Sequence, residues 1–379
     1  MSDATLTARW IFPASGPPLP RGTVTYADDK IVSIDPAGVR TADVDLGNVA
    51  IVPGLVNAHT HLDLTGARGQ IPPTDPDHFC DWLRGVIAYR KTRSEQETID
   101  DCYDGLDECL RYGTTLIGDI TSGGLSWHAA SSAPIRNVLF WEIIGLSEER
   151  YHSVAQQSAI RTGDTWDENA PPATFPGNRT LRWCLSPHSP YSVNHERARA
   201  QLWMGWSAIH FAESPAEKDL LESHSGPFVD FLRELGVWNP AALSLRWEDF
   251  PLSHESRKSQ GHPRLFIHCN YLPPDFPFTS AHSVVYCPRT HAAFGHPPHP
   301  FREFLARGVR VCLGTDSLAS NPDLDILAEA RFLHEKYPNF PGDVLLKMIT
   351  LTGAEALGWA DEVGSLEAGK SADLVAVPL

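Results

Sequence analysis

Short apolar runs, each followed by a helical pattern, recur through the middle of the chain. Runs rich in Ile, Val and Leu that turn formers interrupt are typical of buried strands. Eight of them are predicted to be strands: Ile51–Ala58, Thr114–Ile120, Arg136–Ile144, Leu181–Leu185, Ser207–His210, Leu265–His268, Ser283–Tyr286 and Val309–Leu313. Strands that alternate with helices favour an α/β fold, and eight of them favour a TIM-type (β/α)₈ barrel. An open doubly wound sheet is the alternative, but no Gly-x-Gly-x-x-Gly turn follows any run.

Residues 94–111 show the contrasting helical pattern. The apolar positions 99, 102, 103, 106 and 110 fall on one stripe of a helix. Ser94 and Glu97 form a capping box at its start, and Gly113 supplies the left-handed residue that commonly ends a helix. We therefore expect a helix between the first two predicted strands.

Both ends of the chain carry shorter apolar runs between turn formers, a pattern typical of a small β-unit. We expect the ends to pair into one β-sandwich domain, residues 1–52 and 362–379, while residues 53–361 form the barrel domain. One stretch fits neither pattern. Residues 239–264 are polar and contain Pro and His, so we predict a surface insertion there.

Composition excludes some classes of partner. With 379 residues, 42% of them hydrophobic and 21% charged, the chain has the composition of a globular protein with room for a barrel. The net charge of −16 argues against nucleic acid or an anionic membrane surface as a partner. Seven cysteines without a Cys-x-x-Cys pair fit a reducing compartment. We see no signal peptide or membrane span, and so expect a cytoplasmic protein.

The first predicted strand ends in His59-Thr60-His61. Histidines at i and i+2 project from the same face of a strand, roughly 7 Å apart, so two imidazoles can converge on one metal. Ordinary packing between strands explains an isolated pair equally well. In a barrel, however, functional side chains lie at the C-terminal ends of the strands.

Four further candidates follow other predicted strands. His210 ends the fifth, His268 ends the sixth, Asp316 follows the eighth, and Glu213 comes shortly after His210. Imidazoles and a carboxylate suit Zn²⁺ or Fe²⁺ and leave an open position for water. Glu213 could reach the same cavity without competing for the metal, as a proton shuttle must. Taken singly, His210 is also explained as a core histidine, Asp316 as a helix cap and Glu213 as a solvated loop residue.

A second group of histidines, His291, His296 and His299, lies in a segment with several prolines. We interpret the segment as a His-rich surface loop in preference to a second metal site. The same interpretation applies to His254 and His262 of the predicted insertion.

In combination, the motifs of this chain resemble those of the amidohydrolase superfamily. They are Pro53-Gly-Leu-Val-Asn-Ala-His-Thr-His61, His210-Phe-Ala-Glu213, His268, Gly314-Thr-Asp316-Ser317 and Gly364-Ser-Leu-Glu-Ala-Gly-Lys-Ser-Ala-Asp-Leu374. The resemblance covers nearly the whole chain and is strongest to the metal-dependent deaminases and chlorohydrolases. It implies a (β/α)₈ barrel with a β-sandwich built from both termini.

The resemblance also implies roles for the site residues. One divalent metal would be held by His59, His61, His210 and Asp316. Relatives with two metals carry a lysine at the end of strand four, which this chain lacks, so we expect one metal. Asp316 would also take a proton from water, and His268 would stabilise charge in the transition state. Glu213 would protonate a ring nitrogen of the substrate.

Residues around the site indicate a nucleoside. Ser186-Pro-His188 resembles the strand-four motif of adenosine-type deaminases, including S-adenosylhomocysteine and aminodeoxyfutalosine deaminases, in which the matching histidine contacts ribose hydroxyls. Trp82 lies where relatives carry a lid segment and would cover a flat heterocycle; a core position on an amphipathic helix explains it equally well. Cys80 replaces a ribose-binding Glu of the S-adenosylhomocysteine enzymes, and Thr290-His291 replaces a common Ser-Asn, so the exact nucleoside stays open.

We therefore predict a metal-dependent hydrolytic deaminase of an aminated purine-like nucleoside, with aminodeoxyfutalosine as one candidate. Its partner would be a small-molecule substrate, and the resemblance favours a homodimer. Two alternatives stay open: hydrolysis of another C–N or C–Cl bond on the same fold, and a non-catalytic scaffold stabilised by metal. Ammonia, chloride or a carboxylic acid as the product would separate the hydrolytic reactions.

Overall fold

The computed structural model describes residues 3–162, 173–174, 180–204, 206–243, 246–247 and 264–379. Its strands are β1 (Ala4–Thr7), β2 (Trp10–Ile11), β3 (Leu19–Pro20), β4 (Thr23–Ala27), β5 (Lys30–Asp35), β6 (Val44–Asp45), β7 (Val49–Pro53), β8 (Leu55–Thr60), β9 (Thr114–Thr121), β10 (Arg136–Ile143), β11 (Ala173–Thr174), β12 (Leu181–Pro187), β13 (Ser207–Phe211), β14 (Arg264–His268), β15 (His282–Tyr286), β16 (Arg310–Leu313) and β17 (Leu374–Pro378).

The described residues also form α-helices. They are α1 (Phe79–Thr92), α2 (Glu95–Arg111), α3 (Trp127–Ser132), α4 (Glu148–Thr162), α5 (His195–Met204), α6 (Pro215–Ser223), α7 (Pro227–Glu234), α8 (Pro288–Ala293), α9 (Phe301–Ala306), α10 (Ile326–Lys336), α11 (Gly342–Met348) and α12 (Leu351–Ala356). None of the helices in the described ranges is long and apolar enough to cross a membrane.

Two parallel sheets contain the strands predicted for the middle of the chain. In the first, β8, β9, β10 and β12 lie side by side in parallel, and β11 pairs antiparallel with β12. In the second, β13, β14, β15 and β16 pair in parallel. All eight predicted strands are confirmed, with ends that differ by up to a few residues. The first divides at Gly54 into β7 and β8.

The two parallel sheets contact each other along both edges. At the β12–β13 edge, the backbone N–H of Ala208 donates to Oγ of Ser186 at 2.7 Å. At the β16–β8 edge, the N–H of Asp316 donates to the carbonyl of His59 at 3.0 Å. Gly314 permits this second approach, because an added Cβ would lie only 2.7 Å from Cβ of His59. The carboxyl ends of β8 and β16 therefore lie side by side.

The ends of the chain form two further four-stranded sheets, ordered β5-β4-β1-β6 and β17-β7-β2-β3. The C-terminal strand β17 pairs antiparallel with β7, so the predicted pairing of the two chain ends is present. Six buried apolar residues from these segments form one cluster: Ala8, Ile11, Val24, Ile31, Ile51 and Leu366. Burial of each of the larger side chains contributes about 1.5–3 kcal/mol to the stability of the folded state.

Helix α2 confirms the predicted helix and both of its ends. The N-cap Ser94 accepts the N–H of Glu97, and the Glu97 carboxylate accepts the N–H of Ser94 at 2.8 Å. Gly113 has the predicted left-handed conformation, with φ of +82°. The buried face of the helix packs in one cluster with the neighbouring strand β9: Leu62, Cys102, Leu106, Cys109 and Ile117.

The predicted surface insertion at 239–264 is exposed at the described residues 239–241 and 246 and buried at the others. Ala242, Leu243 and Trp247 are buried, and so is Arg264, which begins strand β14. Trp247 is buried because its ring packs against Phe211 while its indole N–H has a carboxylate partner. His254 and His262 lie outside the described residues.

The predicted His-rich surface loop at 291–299 is also wrong for two of its histidines. His291 and His299 are only 2% and 4% exposed. His299 stacks on Tyr286, with ring centroids 4.0 Å apart, and its Nε2 lies 2.6 Å from the carbonyl oxygen of His268. Burial lowers the pKa of His299 to about 3. The ring is therefore neutral, and a neutral imidazole packs among aromatic rings where a charged one would not.

Candidate metal centre and active site

Four strands deliver the predicted ligand residues to one buried place. His59 lies on β8 and His61 directly follows it, while His210 lies on β13, His268 ends β14 and Asp316 follows β16. All five side chains are buried. They lie together because carboxyl ends of neighbouring parallel strands share one edge.

The distances between these side chains are those of a shared metal site. Nε2 of His61 lies 3.1 Å from Nε2 of His210. Oδ1 of Asp316 lies 3.4 Å from Nε2 of His59 and 3.7 Å from Nε2 of His61. Atoms that each bind one ion at about 2.0–2.2 Å lie roughly 3–3.5 Å from one another. The four predicted ligands are thus brought together, and His268 lies among them with a possible ligand atom within 4.8 Å of those of His59 and Asp316.

The hydrogen bonding and charge of these rings fit a divalent cation. Within the described ranges, both ring nitrogens of His59, Nδ1 of His61 and Nε2 of His268 have no hydrogen-bond partner. A buried polar atom in that state costs about 1–3 kcal/mol. Burial lowers the pKa of His61, His210 and His268 well below the ordinary value. Neutral imidazole is the form that binds a metal, so the donor set is ready to do so.

Unusual backbone conformations orient the side chains at the strand ends. Asp316, His268 and Ala212 all have left-handed backbones, with φ of +63°, +67° and +51°. Such conformations cost non-glycine residues about 1–3 kcal/mol and are concentrated at functional sites. Asp316 does not cap a helix, because Asp325 is the N-cap of the following helix α10. The helix-cap alternative for Asp316 is therefore wrong.

Glu213 is buried beside the predicted metal ligands and is not a solvated loop residue. Its Oε1 lies 3.3 Å from Nε2 of His268. Burial, together with the nearby carboxylates of Asp316 and Glu217, raises the pKa of Glu213 well above its usual range. The raised pKa favours the protonated form of the side chain, which a general acid requires.

Glu217, on helix α6, positions the turn that carries Glu213 and was not predicted from the sequence. Its carboxylate accepts the backbone N–H groups of Ala212 at 2.9 Å and Glu213 at 3.1 Å, and the indole N–H of Trp247 at 2.9 Å. Burial raises its pKa to about 7. From the sequence, Glu217 is indistinguishable from the acidic residues that commonly occupy the first turn of a helix.

His188 follows strand β12 and contacts His210, so this predicted substrate-binding residue lies beside the buried cluster. Its carbonyl oxygen accepts the backbone N–H of His210 at 2.9 Å and lies 3.0 Å from that residue's Nδ1. The two imidazole centroids are 4.5 Å apart. Its contact with a substrate stays a prediction.

Two other buried carboxylates near the site lie inside apolar strands, Asp119 on β9 and Glu142 on β10. Asp119 accepts the N–H of Leu62 at 2.9 Å and the hydroxyl of Ser126 at 2.6 Å, and so fixes the backbone directly after His61. Sequence reasoning missed both acids. The sequence signal available for both was a single acidic residue within an apolar run. Such a residue is buried with its strand, and a buried carboxylate is stable only with a partner.

Trp82 lies on α1 in an apolar cluster with Phe79 and Phe294. Its ring centroid is 5.7 Å from that of Phe79 and 5.2 Å from that of Phe294. This packing accounts for the burial of Trp82, and its predicted contact with a substrate stays a prediction.

Comparison with known proteins places the chain in a family. Residues 50–379 match the amidohydrolase family. The chain belongs to this family. The predicted family and the predicted hydrolase class are thereby confirmed, and with the buried His and Asp donors they identify a divalent-metal site in this amidohydrolase.

Curated relatives align over most of this amidohydrolase. The 5-methylthioadenosine/S-adenosylhomocysteine deaminase of Moorella thermoacetica is 30% identical over 402 residues, which cover 97% of this chain and 84% of the relative. The aminodeoxyfutalosine deaminase of Nitratiruptor sp. is 26% identical over 353 residues, which cover 88% of this chain and 80% of the relative. The amidohydrolase is thus similar to two deaminases along nearly its full length.

Solved structures share its fold. The aminofutalosine deaminase of Helicobacter pylori aligns with a TM-score of 0.80 at 21% identity, covering 99% of this amidohydrolase and 92% of that chain. An adenosine deaminase from Xanthomonas campestris with bound zinc aligns with a TM-score of 0.74 at 25% identity. The alignment covers 99% of this amidohydrolase and 84% of that chain. These similarities show a TIM-barrel type of fold.

Proposed function

We propose that this amidohydrolase is a metal-dependent hydrolytic deaminase of an adenosine-like nucleoside. In the reaction, water adds to the amidine carbon of the base, the exocyclic C–N bond breaks, and ammonia leaves. The observation that carries the proposal is a buried Glu213 that lies 3.3 Å from His268 and beside the cluster of proposed metal ligands, where burial raises its pKa. The relatives support it, since those compared above are named as deaminases.

We infer further that the two parallel sheets close into a (β/α)₈ barrel formed by residues 53–361. The hydrogen bonds of Ala208 to Ser186 and of Asp316 to His59, at the two edges, support closure. The two terminal sheets would form a β-sandwich domain from residues 1–52 and 362–379, with the apolar cluster around Ile11 between them.

The metal is proposed to be one zinc ion, with ferrous iron as the alternative that the same donors accept. Its ligands would be His59, His61, His210 and Asp316. A bound divalent ion lowers the pKa of water from near 16 to about 7 and so supplies hydroxide at neutral pH. Strand β12 ends in Leu185-Ser-Pro187, without the lysine that a second metal would need.

The side chains divide the proton transfers between them. Burial acts to raise the pKa of Asp316, but the contacts with His59 and His268 hold it below its usual range, so this carboxylate can accept a proton from water. The raised pKa of Glu213 favours its protonated form, which would donate a proton to the ring nitrogen next to the attacked carbon. His268 lies beside Glu213 and is placed to stabilise negative charge that develops on oxygen.

Two further residues would recognise the nucleoside. His188 would contact the ribose hydroxyls, which its place beside His210 supports. Trp82 would cover the base from the apolar cluster with Phe294. Aminodeoxyfutalosine is one candidate substrate, as in the named Nitratiruptor relative.

The test is ammonia release by zinc-loaded and iron-loaded protein from a panel of nucleosides. The panel holds adenosine, 5′-deoxyadenosine, 5-methylthioadenosine, S-adenosylhomocysteine and aminodeoxyfutalosine. We expect turnover of at least one, abolished in His59→Ala but retained in His128→Ala, which removes an exposed histidine. Ammonia from none of them, with chloride released from a chlorotriazine or acid released from an amide, would overturn the proposed reaction.

A further inference from the structure

The segment that carries Asp316 is tied to strand β8 by two side chains to which the proposed reaction gives no role. Asn57 lies on β8, two residues before His59, and Thr315 directly precedes Asp316. Asn57 and Thr315 are both 0% exposed. A buried amide is unfavourable unless its polar atoms are bonded, so the partners of Asn57 decide what it does there.

Asn57 and Thr315 are joined by two hydrogen bonds. The backbone N–H of Thr315 donates to Oδ1 of Asn57 at 3.0 Å, and Nδ2 of Asn57 donates to Oγ1 of Thr315 at 2.8 Å. Because a backbone N–H can only donate, the atom that faces it must be the amide oxygen, which fixes the orientation of the amide. The two bonds therefore link β8 to the residue before Asp316.

A second amide holds the carbonyl of Thr315. Nδ2 of Asn321 donates to this carbonyl at 2.6 Å and to Oε1 of Glu329 at 2.7 Å. Glu329, on α10, is 0% exposed and accepts the backbone N–H of Arg289 at 2.9 Å and its Nε–H at 2.7 Å. Thr315 is thereby bonded to β8 through its N–H and hydroxyl, and to α10 through Asn321.

These bonds bear on Asp316 because its backbone is strained. Asp316 has a left-handed conformation, with φ of +63°, which a non-glycine residue keeps only where its surroundings hold it. The bonds of Thr315 fix the peptide that leads into Asp316, and the N–H of Asp316 donates to the carbonyl of His59 at 3.0 Å. Together these contacts set the separation of Oδ1 of Asp316 from Nε2 of His59, which is 3.4 Å.

We propose that Thr315, held by Asn57 and Asn321, is a positioning residue that keeps Asp316 at the distance from His59 that a shared metal requires. Thr315 contacts neither the metal nor the substrate and acts through Asp316. The proposal rests on the proposed metal-dependent function and deepens it, since it names the residues that set the geometry of one ligand.

Thr315→Val tests this role with little change in shape. The methyl group that replaces the hydroxyl cannot accept the N–H of Asn57, so a buried donor loses its partner. We expect the Kd for zinc, measured by competition with a chelator, to rise about tenfold or more, because residues that orient a metal ligand change metal affinity by about 10–100-fold. Thr315→Ser keeps the hydroxyl and should bind zinc as the wild type does.

Cobalt-substituted protein separates positioning from a loss of stability. Imidazole and carboxylate donors also bind Co²⁺, whose visible absorption depends on the number and geometry of its ligands. The spectrum should change in Thr315→Val and not in the matched control Thr7→Val. Thr7, on β1 of a terminal sheet, is buried and donates through its hydroxyl to the carbonyl of Gly22 at 2.7 Å. Both variants should lose stability in urea unfolding, but only Thr315→Val should lose zinc affinity.

Two further variants test the same contact from its other side. Asn57→Ala removes the partner of Thr315 and should also raise the Kd for zinc, so it decides the matter if Thr315→Val does not fold. Combining Asn57→Ala with Thr315→Val should raise the Kd by less than the product of the two single effects, because both variants remove one contact.

Zinc affinity and the cobalt spectrum need no substrate, so they are independent of the proposed reaction. For the nucleoside that the wild type deaminates, kcat should fall about tenfold in Thr315→Val with KM nearly unchanged, as for an interaction that matters in the transition state. Wild-type zinc affinity with an unchanged cobalt spectrum, in folded Thr315→Val or in folded Asn57→Ala, would overturn the proposal. Wild-type protein that binds zinc but deaminates no nucleoside would instead refute the proposed function, and zinc affinity would still decide whether Thr315 positions Asp316.

Discussion

A methyl group at Gly314 should disturb the metal site without removing any ligand. Gly314 lies between β16 and Asp316, where the strand comes close to His59 on β8. A Cβ added there would lie 2.7 Å from Cβ of His59 and 3.0 Å from its backbone N and O. The backbone of Gly314 is outside the left-handed region, so the cost of Gly314→Ala comes from this contact and not from strain.

The size of the effect follows from the distances. Carbon atoms in contact need about 3.5–4.0 Å, so the two strands must separate by roughly 1 Å. Overpacking of this kind costs about 1–3 kcal/mol in the free energy of unfolding. The same movement separates Asp316 from His59, whose ligand atoms are 3.4 Å apart. A misplacement of about 1 Å costs about 100-fold in activity, and we expect zinc affinity to fall by about tenfold or more.

Chelator competition for zinc, urea unfolding and ammonia release would measure the three quantities on the same preparations. Gly342→Ala is the matched control, because no atom lies within 4 Å of a Cβ added at Gly342. It should bind zinc and turn over substrate as the wild type does. Wild-type zinc affinity in Gly314→Ala would refute the idea that the close approach of β8 and β16 sets the distance between two ligands.

Three more predictions concern the proton donor, pH and the metal. Glu213→Gln should lower kcat by about 10²–10⁴ with zinc content unchanged, and full turnover by the zinc-loaded variant would eliminate its role as donor. Burial lowers the pKa of His282 from 6.5 to about 3, so the folded state binds fewer protons than the unfolded state between these values. Stability should then fall as pH drops through that window, by up to about 1.4 kcal/mol per pH unit, and less steeply in His282→Asn; equal slopes in urea unfolding would contradict this. Removing the metal should lower Tm. Adding zinc at about 1,000 times its Kd should raise the free energy of unfolding by about 4 kcal/mol in the wild type but not in His210→Ala, which thermal unfolding would measure.

The strands, and the histidines and aspartate that meet at one buried place, could be predicted because both depend on local patterns. A buried parallel strand is a short apolar run whatever its neighbours are, and functional side chains follow such runs. His210 and Asp316 were identifiable from this rule alone. The helix over 94–111 was equally local, since its cap and its apolar stripe lie within one segment.

The residues that support the ligands could not be predicted, because their partners lie far away in sequence. Glu142 contacts Arg90, 52 residues earlier, and His188, which directly follows the next strand of the sheet. The burial of His299 depends on Tyr286 and on the carbonyl of His268, and the Pro- and His-rich composition around it indicated exposure instead. Side-chain partners across a fold have no local pattern.

Deamination of a nucleoside in H₂¹⁸O tests the central claim most directly. Zinc-loaded protein would be incubated with the best substrate of the panel, and the product analysed by mass spectrometry. We expect one ¹⁸O atom in each product molecule, at the position that held the amino group, and no product with Asp316→Asn. A product without the label, or labelled product formed equally well by Asp316→Asn, would contradict hydrolysis at this metal centre.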